Sequence, residues 1–72
     1  MNEEQGSQRL DKWLWAARFF KSRALATKLL SAGRVRLSGK VVIKSNQLVK
    51  KNEVLTFPQG SFIRVVKVLF LV

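Results

Sequence analysis

The spacing of apolar residues changes once along this chain, and that change limits the folds open to it. Leu10, Trp13, Leu14 and Ala17 recur at i, i+3, i+4 and i+7, the stripe of an amphipathic helix. Ser7 or Gln8 precedes its first turn, and Asp11 stands where a negative charge favours a helix N-terminus. Ser22 offers a capping oxygen to a second helix, whose buried stripe is read as Leu25, Ala26, Leu29 and Leu30. Gly33 follows the last periodic residue, where a left-handed residue commonly ends a helix. From Arg34 onward the period is two. Val35 and Leu37 share one face of a strand, and Arg34 and Arg36 the other.

Ser38-Gly39 then signals a turn, and Val41 to Ile43 returns as a second short strand. Lys50-Lys51-Asn52-Glu53 is a polar turn before a third strand, Val54 to Phe57. The closing stretch, Phe62 to Val72, is largely apolar at both parities, so it is expected to be covered on both faces or to carry a bulge. The expected fold class is α+β: two N-terminal helices, about 9–20 and 22–32, packed on a small, mainly antiparallel sheet with strands about 34–37, 41–44, 54–57 and 62–71. Residues 1–8 are expected to form a flexible leader ahead of a single domain over 9–72.

Charge narrows the function. The 72 residues carry 14 Lys and Arg against 4 Asp and Glu, a net +10, yet 47% are hydrophobic, too many for a disordered polycation. The imbalance lies in the middle of the chain: residues 9–57 hold twelve bases, with Asp11 and Glu53 their only acids. Self-repulsion of this size opposes compaction, so a polyanionic partner is expected. Histidine and cysteine are both absent, which removes the commonest general base and the thiolate metal ligands. Asp11 and Glu53 each have a structural role open to them, a helix dipole and a turn, and form no acid/base couple. No enzyme, cofactor or metal site is expected. There is no apolar run long enough to span a bilayer and no secretory signal pattern, so a cytoplasmic location is expected.

Three groups of side chains are candidates for the anion-binding surface. Lys21, Ser22 and Arg23, with Arg18 one turn earlier, combine cations, a hydroxyl and the free N–H groups of a helix start, the ingredients of a phosphate site. The alternative for Ser22 is a plain cap. The hairpin Arg34-Val35-Arg36-Leu37-Ser38-Gly39-Lys40 sets Arg34, Arg36 and Ser38 on one side with Lys40 at the tip, in a stretch that has no acid from residue 12 to residue 52. Lys28 and Lys44 extend it. The third group is Trp15, with Lys12 and Arg18 beside it: either an unpaired base stacks there or the indole shields a satellite cluster. Trp13 is read as core, and Phe19 and Phe20 as packing under the turn.

The order Arg9-Leu10-Asp11-Lys12-Trp13-Leu14, Ser22-Arg23-Ala24, Ala26, Leu29-Leu30 and Gly33-Arg34-Val35-Arg36-Leu37-Ser38-Gly39 resembles the S-four RNA-binding domain, over residues 9 to about 57. RLDKWLWAARFFKSRALA and the closing LTFPQG are most similar to its heat-shock protein fifteen branch. The resemblance implies the alpha-L motif, two helices on a small sheet. It also implies an RNA surface made of the second helix start and the following hairpin, here Lys21, Ser22, Arg23, Arg34, Arg36, Ser38, Gly39 and Lys40. Arg9 joins the candidates as part of the motif. The chain departs from the pattern in two turns: Ser38 replaces the usual Asn before the hairpin Gly, and Asn52-Glu53 replaces Gly-Asp. Members of that branch continue into a basic C-terminal extension, so a chain that stops at Val72 is expected to be either a truncated form or a domain working alone.

The expectation is a non-catalytic, monomeric RNA-binding protein that acts on structured RNA. The resemblance implies ribosomal RNA of the large subunit, with transfer RNA as a further partner and a place in a stress response. Neither a membrane nor a small-molecule substrate is expected. Two other classes compete: a DNA-binding module, because two short helices and a turn mimic a helix-turn-helix, and a cationic membrane-surface protein. An RNA-modifying enzyme of the same family would need a catalytic domain for which 72 residues leave no room.

Overall fold

The structure is a computed structural model that describes residues 6–44 and 46–71. In chain order it runs β1 (Ser7–Arg9), α1 (Leu10–Ala16), α2 (Arg23–Ser31), β2 (Val35–Leu37), β3 (Lys40–Val42), β4 (Leu48–Lys50), β5 (Val54–Gln59) and β6 (Phe62–Lys67). All strand pairs are antiparallel. Four strands form a sheet in the order β3-β2-β5-β6, and β1 pairs with β4 in a separate ribbon. The helices pack on the inner face of this assembly, so the class is α+β, two helices on a small antiparallel sheet.

The core follows from the two periodicities. Leu10, Trp13 and Leu14 of α1 and Ala26 and Leu30 of α2 meet Val35, Leu37, Val42, Val49, Leu55 and Phe57 of the strands, together with Val68. Strand alternation holds in β2, where Val35 and Leu37 are buried and Arg36 points outward. Helix α2 is capped as its sequence indicates: Ser22 Oγ accepts from the Leu25 amide at 3.2 Å. At its other end Gly33 adopts φ 74° and the Arg34 N–H reaches the Leu29 carbonyl, so the left-handed residue satisfies carbonyls the helix would leave unpaired.

Several expected boundaries move. Helix α1 ends at Ala16 rather than near residue 20, because Arg18 turns left-handed (φ 68°). The Arg18 and Phe19 amides fold back onto the Trp15 and Leu14 carbonyls, a Schellman closure that stops propagation. Residues 1–5 of the expected leader lie outside the described residues, but Ser7–Arg9 is a strand: Ser7 pairs with Lys50, Gln8 with Val49 and Arg9 with Leu48. The N-cap of α1 is Arg9, without a side-chain cap bond, rather than Ser7 or Gln8. Leu25, expected in the core stripe, is 48% exposed; Ala26 and Leu30, one turn apart, form the buried edge and leave Leu25 on the flank. Strand β3 stops at Val42, short of residue 44.

The last strand is the largest departure. It ends at Lys67 rather than near residue 71, and among the described residues neither of its faces is covered along its first half: Phe62, Ile63 and Val65 are all exposed. β6 is an edge strand. Cover begins at Val66, half-buried against the core, and is complete at Val68, which exchanges backbone hydrogen bonds with Asn52 and Glu53. The chain then runs beside α1, where Trp13 Nε1 donates to the Phe70 carbonyl at 3.0 Å.

The β2–β3 turn exposes a local conflict between residue and backbone. Leu37 pairs with Lys40, and both intervening residues have positive φ, Ser38 at 52° and Gly39 at 86°. This is the type I′ geometry that favours Asn-Gly. Gly39 adopts it without strain, whereas Ser38 lacks the local side-chain bonding that lets Asn occupy the left-handed region. Ser38→Asn is therefore expected to raise stability by about 0.5–1 kcal/mol, read as a higher urea midpoint at unchanged slope.

Candidate nucleic-acid interface

The site is organised by a buried anion. Asp11, in the first turn of α1, is the one charged side chain buried among the described residues. Its carboxylate accepts from Arg9 Nε and Nη2 at 3.2 and 2.9 Å, from the Lys12 amide at 2.7 Å and from Thr27 Oγ1 at 3.0 Å. Arg23 Nη2 approaches at 3.4 Å. Burial alone would raise this carboxyl. The Arg9 pair, the Thr27 hydroxyl, the Lys12 amide and the Arg23 charge outweigh it and hold the group below its ordinary 3.8. Asp11 thus joins the strand–helix corner to α2, well beyond the dipole role expected from its position. Arg9 and Arg23 are partly neutralised by it, with their side chains 45% and 41% exposed. This cluster therefore offers one net positive charge instead of two.

The α1–α2 turn, residues 17–22, carries Arg18 and Lys21, both exposed. Sheet side chains hold it from below. Phe19 meets Phe57 edge to face and Phe20 meets it at a tilt, with ring centroids 5.4 and 5.7 Å apart. Gln59 Nε2 donates to the Phe19 carbonyl at 2.5 Å, and Gln59 Oε1 accepts from Arg64 Nε at 2.8 Å. The Arg64 guanidinium also lies over the Phe19 ring, 5.9 Å from its centroid. Gln59 and Arg64 are absent from the sequence-derived candidates. Their only sequence signal is the turn at Pro58-Gln59-Gly60, which says nothing about which helix end the hairpin will reach.

Two adjoining clefts then connect the cations. Trp15, Ala16, Arg18, Phe19, Phe20 and Lys21 line one; Phe20, Leu25, Lys28, Leu29, Ala32 and Arg34 line the other. Phe20 is common to both, so Arg18 and Lys21 from the turn, Lys28 from α2 and Arg34 from the start of the hairpin border one surface without an acid in its lining. The remaining candidates sit apart. Arg36 projects from the outer face of the sheet, in register with Val41 and Thr56. Ser38 and Lys40 line a cleft at the hairpin tip together with Glu53, whose carboxylate accepts from Ser38 Oγ at 3.4 Å and from the Lys50 amide at 2.8 Å. Gly39 completes that turn, and Lys44 is exposed beyond β3. Lys12 is exposed on α1 beside the Asp11 cluster, and Ser22 Oγ is engaged as the α2 cap.

Because the Asp11 carboxyl is depressed in the folded protein, its stabilising contribution is complete above the unfolded value near 3.8 and is lost as pH falls through the lower folded value. Asp11→Asn is expected to cost about 1–2 kcal/mol at neutral pH, since the half-exposed guanidinium groups keep part of their hydration. Urea midpoints measured from neutral pH down to about 2 should converge for the two proteins at the acid end.

The family model for the S4 domain matches residues 8–55, which include Asp11, both helices and the hairpin. The chain is 49% identical over 53 residues to heat shock protein 15 of Escherichia coli K12, covering 74% of this chain and 39% of that protein. It is 43% identical over 61 residues to the heat shock protein 15 homolog of Aeromonas salmonicida, covering 85% and 46%. The trimeric structure of Vibrio cholerae heat shock protein 15 superposes with a TM-score of 0.86 at 35% identity, over 92% of this chain and 66% of that one. The chain spans less than half the length of the curated relatives it matches. With fold, motif order and family model in agreement, the chain belongs to the S4 domain family of RNA-binding domains.

Proposed function

We propose that this chain is a non-catalytic, cytoplasmic RNA-binding protein that engages structured RNA, ribosomal RNA of the large subunit, through the turn before α2, the exposed side of α2 and the hairpin that follows. The observation that carries the reading is the acid-free surface around Phe20, where Arg18, Lys21, Lys28 and Arg34 come together from three chain segments. Each of the four is exposed, so phosphates reach them without any rearrangement of the core. Contacts to phosphates and 2′-hydroxyls give affinity and shape selection with little reading of base edges. Arg36, Lys40 and Lys44 widen the positive field rather than form part of its centre. The heat shock protein 15 relatives support a stress-linked role, and transfer RNA on the ribosome is the further partner that the resemblance implies.

Self-repulsion at a net +10 favours a monomer in the absence of RNA. The trimeric Vibrio cholerae relative makes a trimer the alternative, which light scattering separates. No helix among the described residues is long and apolar enough to cross a membrane.

If five to seven phosphates are neutralised, log K should fall with log salt with a slope of about −4 to −6; an affinity indifferent to salt would end the proposal. Arg34→Glu combined with Arg36→Glu should lower affinity by about a hundredfold or more while circular dichroism stays unchanged, because both side chains are exposed. Folded RNA should compete better than duplex DNA or anionic vesicles, the outcomes that the DNA-binding and membrane-surface readings require.

A further inference from the structure

We propose that the cleft at the C-terminal end of α1 takes one unpaired nucleobase, stacked on the indole of Trp15, with the flanking phosphates on Arg18 and Lys21. This rests on the RNA-binding reading and adds to it a ligand and a preference, for RNA that presents a nucleotide outside a helix.

Four observations converge on the cleft. The first is the contrast between the two tryptophans of α1. Trp13 is 6% exposed and its Nε1 is bonded to the Phe70 carbonyl, whereas Trp15 is 42% exposed and lines an open cleft. Trp15 therefore does not serve the core, and a large indole left half in water carries a π-face available to a base. The second is the company it keeps. Arg18 and Lys21 share the cleft, and Trp15 lies one turn along α1 from Asp11, which holds Arg23. A stacked base would have Arg18 and Lys21 for its phosphates and no acid in the lining.

The third is the backbone of Arg18. It occupies the left-handed position of the Schellman closure, φ 68°, where glycine is usual. An arginine there carries a strain that a glycine would not, and what it supplies in exchange is a guanidinium at the cleft. The fourth is rigidity. Phe19 packs edge-on and Phe20 tilted against Phe57, and Gln59 holds the Phe19 carbonyl, so the floor is formed before any ligand arrives. Every base has a π-face, and the charged side chains of the lining, Arg18 and Lys21, suit phosphates rather than a base edge. The site should thus read the unpaired state rather than base identity.

The test uses the full 72-residue chain and two RNAs, a blunt duplex and the same duplex with one bulged nucleotide, compared by filter binding over the same series of salt concentrations. The wild-type chain should prefer the bulged RNA by about tenfold. Trp15→Ala should abolish that preference, leave duplex affinity and the salt slope as they were, and leave circular dichroism unchanged. Trp15→Phe should restore most of the preference. Arg18→Gly should raise the urea midpoint yet weaken RNA binding several-fold, a pairing of gain and loss that a purely structural residue would not give. An equal preference for the bulge in wild type and Trp15→Ala, or no preference in either, overturns the stacking site while leaving salt-dependent RNA binding intact; undiminished binding by Arg18→Gly overturns the role given to Arg18 both here and in the broader surface. Absence of RNA binding by the wild-type chain instead overturns the broader reading and this one with it.

Discussion

A carboxylate buried between two helices in a chain of net charge +10 is the interaction on which the rest of this structure depends. Asp11 would be costly there without partners. It has five hydrogen-bonding contacts, and these come from the strand–helix corner, from its own helix and from α2. Two elements that are short on their own, seven and nine residues, are thereby fixed in one relative orientation, which their intrinsic helix stability would not secure. That orientation determines where the basic residues of α2 and the turn emerge.

The turn between the helices is the second fixed point, and it is fixed from the opposite direction. Its polar side faces outward with Arg18 and Lys21, while its aromatic side rests on Phe57 and is tied by Gln59 to the β5–β6 hairpin. A surface intended for a polyanion gathers like charges whose mutual repulsion works against it. Here the repulsion is offset by anchoring the cationic segments to the apolar sheet beneath, and by placing the buried Asp11 carboxylate next to two of the guanidinium groups. RNA on the proposed surface would meet side chains already held in place, with little ordering to be done at the moment of contact.

Much of this was legible in the order of residues. The shift in period separated helices from strands, Ser22 and Gly33 marked both ends of α2, and Val35 and Leu37 identified the inner face of β2. The end of α1 was not legible, because its stop is a left-handed arginine rather than a glycine or proline. Nor was β1: three polar residues acquire strand geometry only by pairing with Leu48–Lys50, about forty positions away. Alternation also grouped Arg34 with Arg36 and Ser38. In three dimensions Arg34 joins Lys28 at the α2 groove, while Ser38 and Lys40 turn towards Glu53.

The sequence by itself determined the class of fold, the positions of the helix cap and the hairpin turn, and the excess of positive charge over residues 9–57, because periodicity, capping and charge are local or additive properties. Tertiary structure alone decided which cations share a surface, which are paired with Asp11, which tryptophan is buried and which strand is left uncovered. Those outcomes depend on contacts between residues distant in the chain, and such contacts are set by how helices and sheet pack rather than by any neighbouring letter.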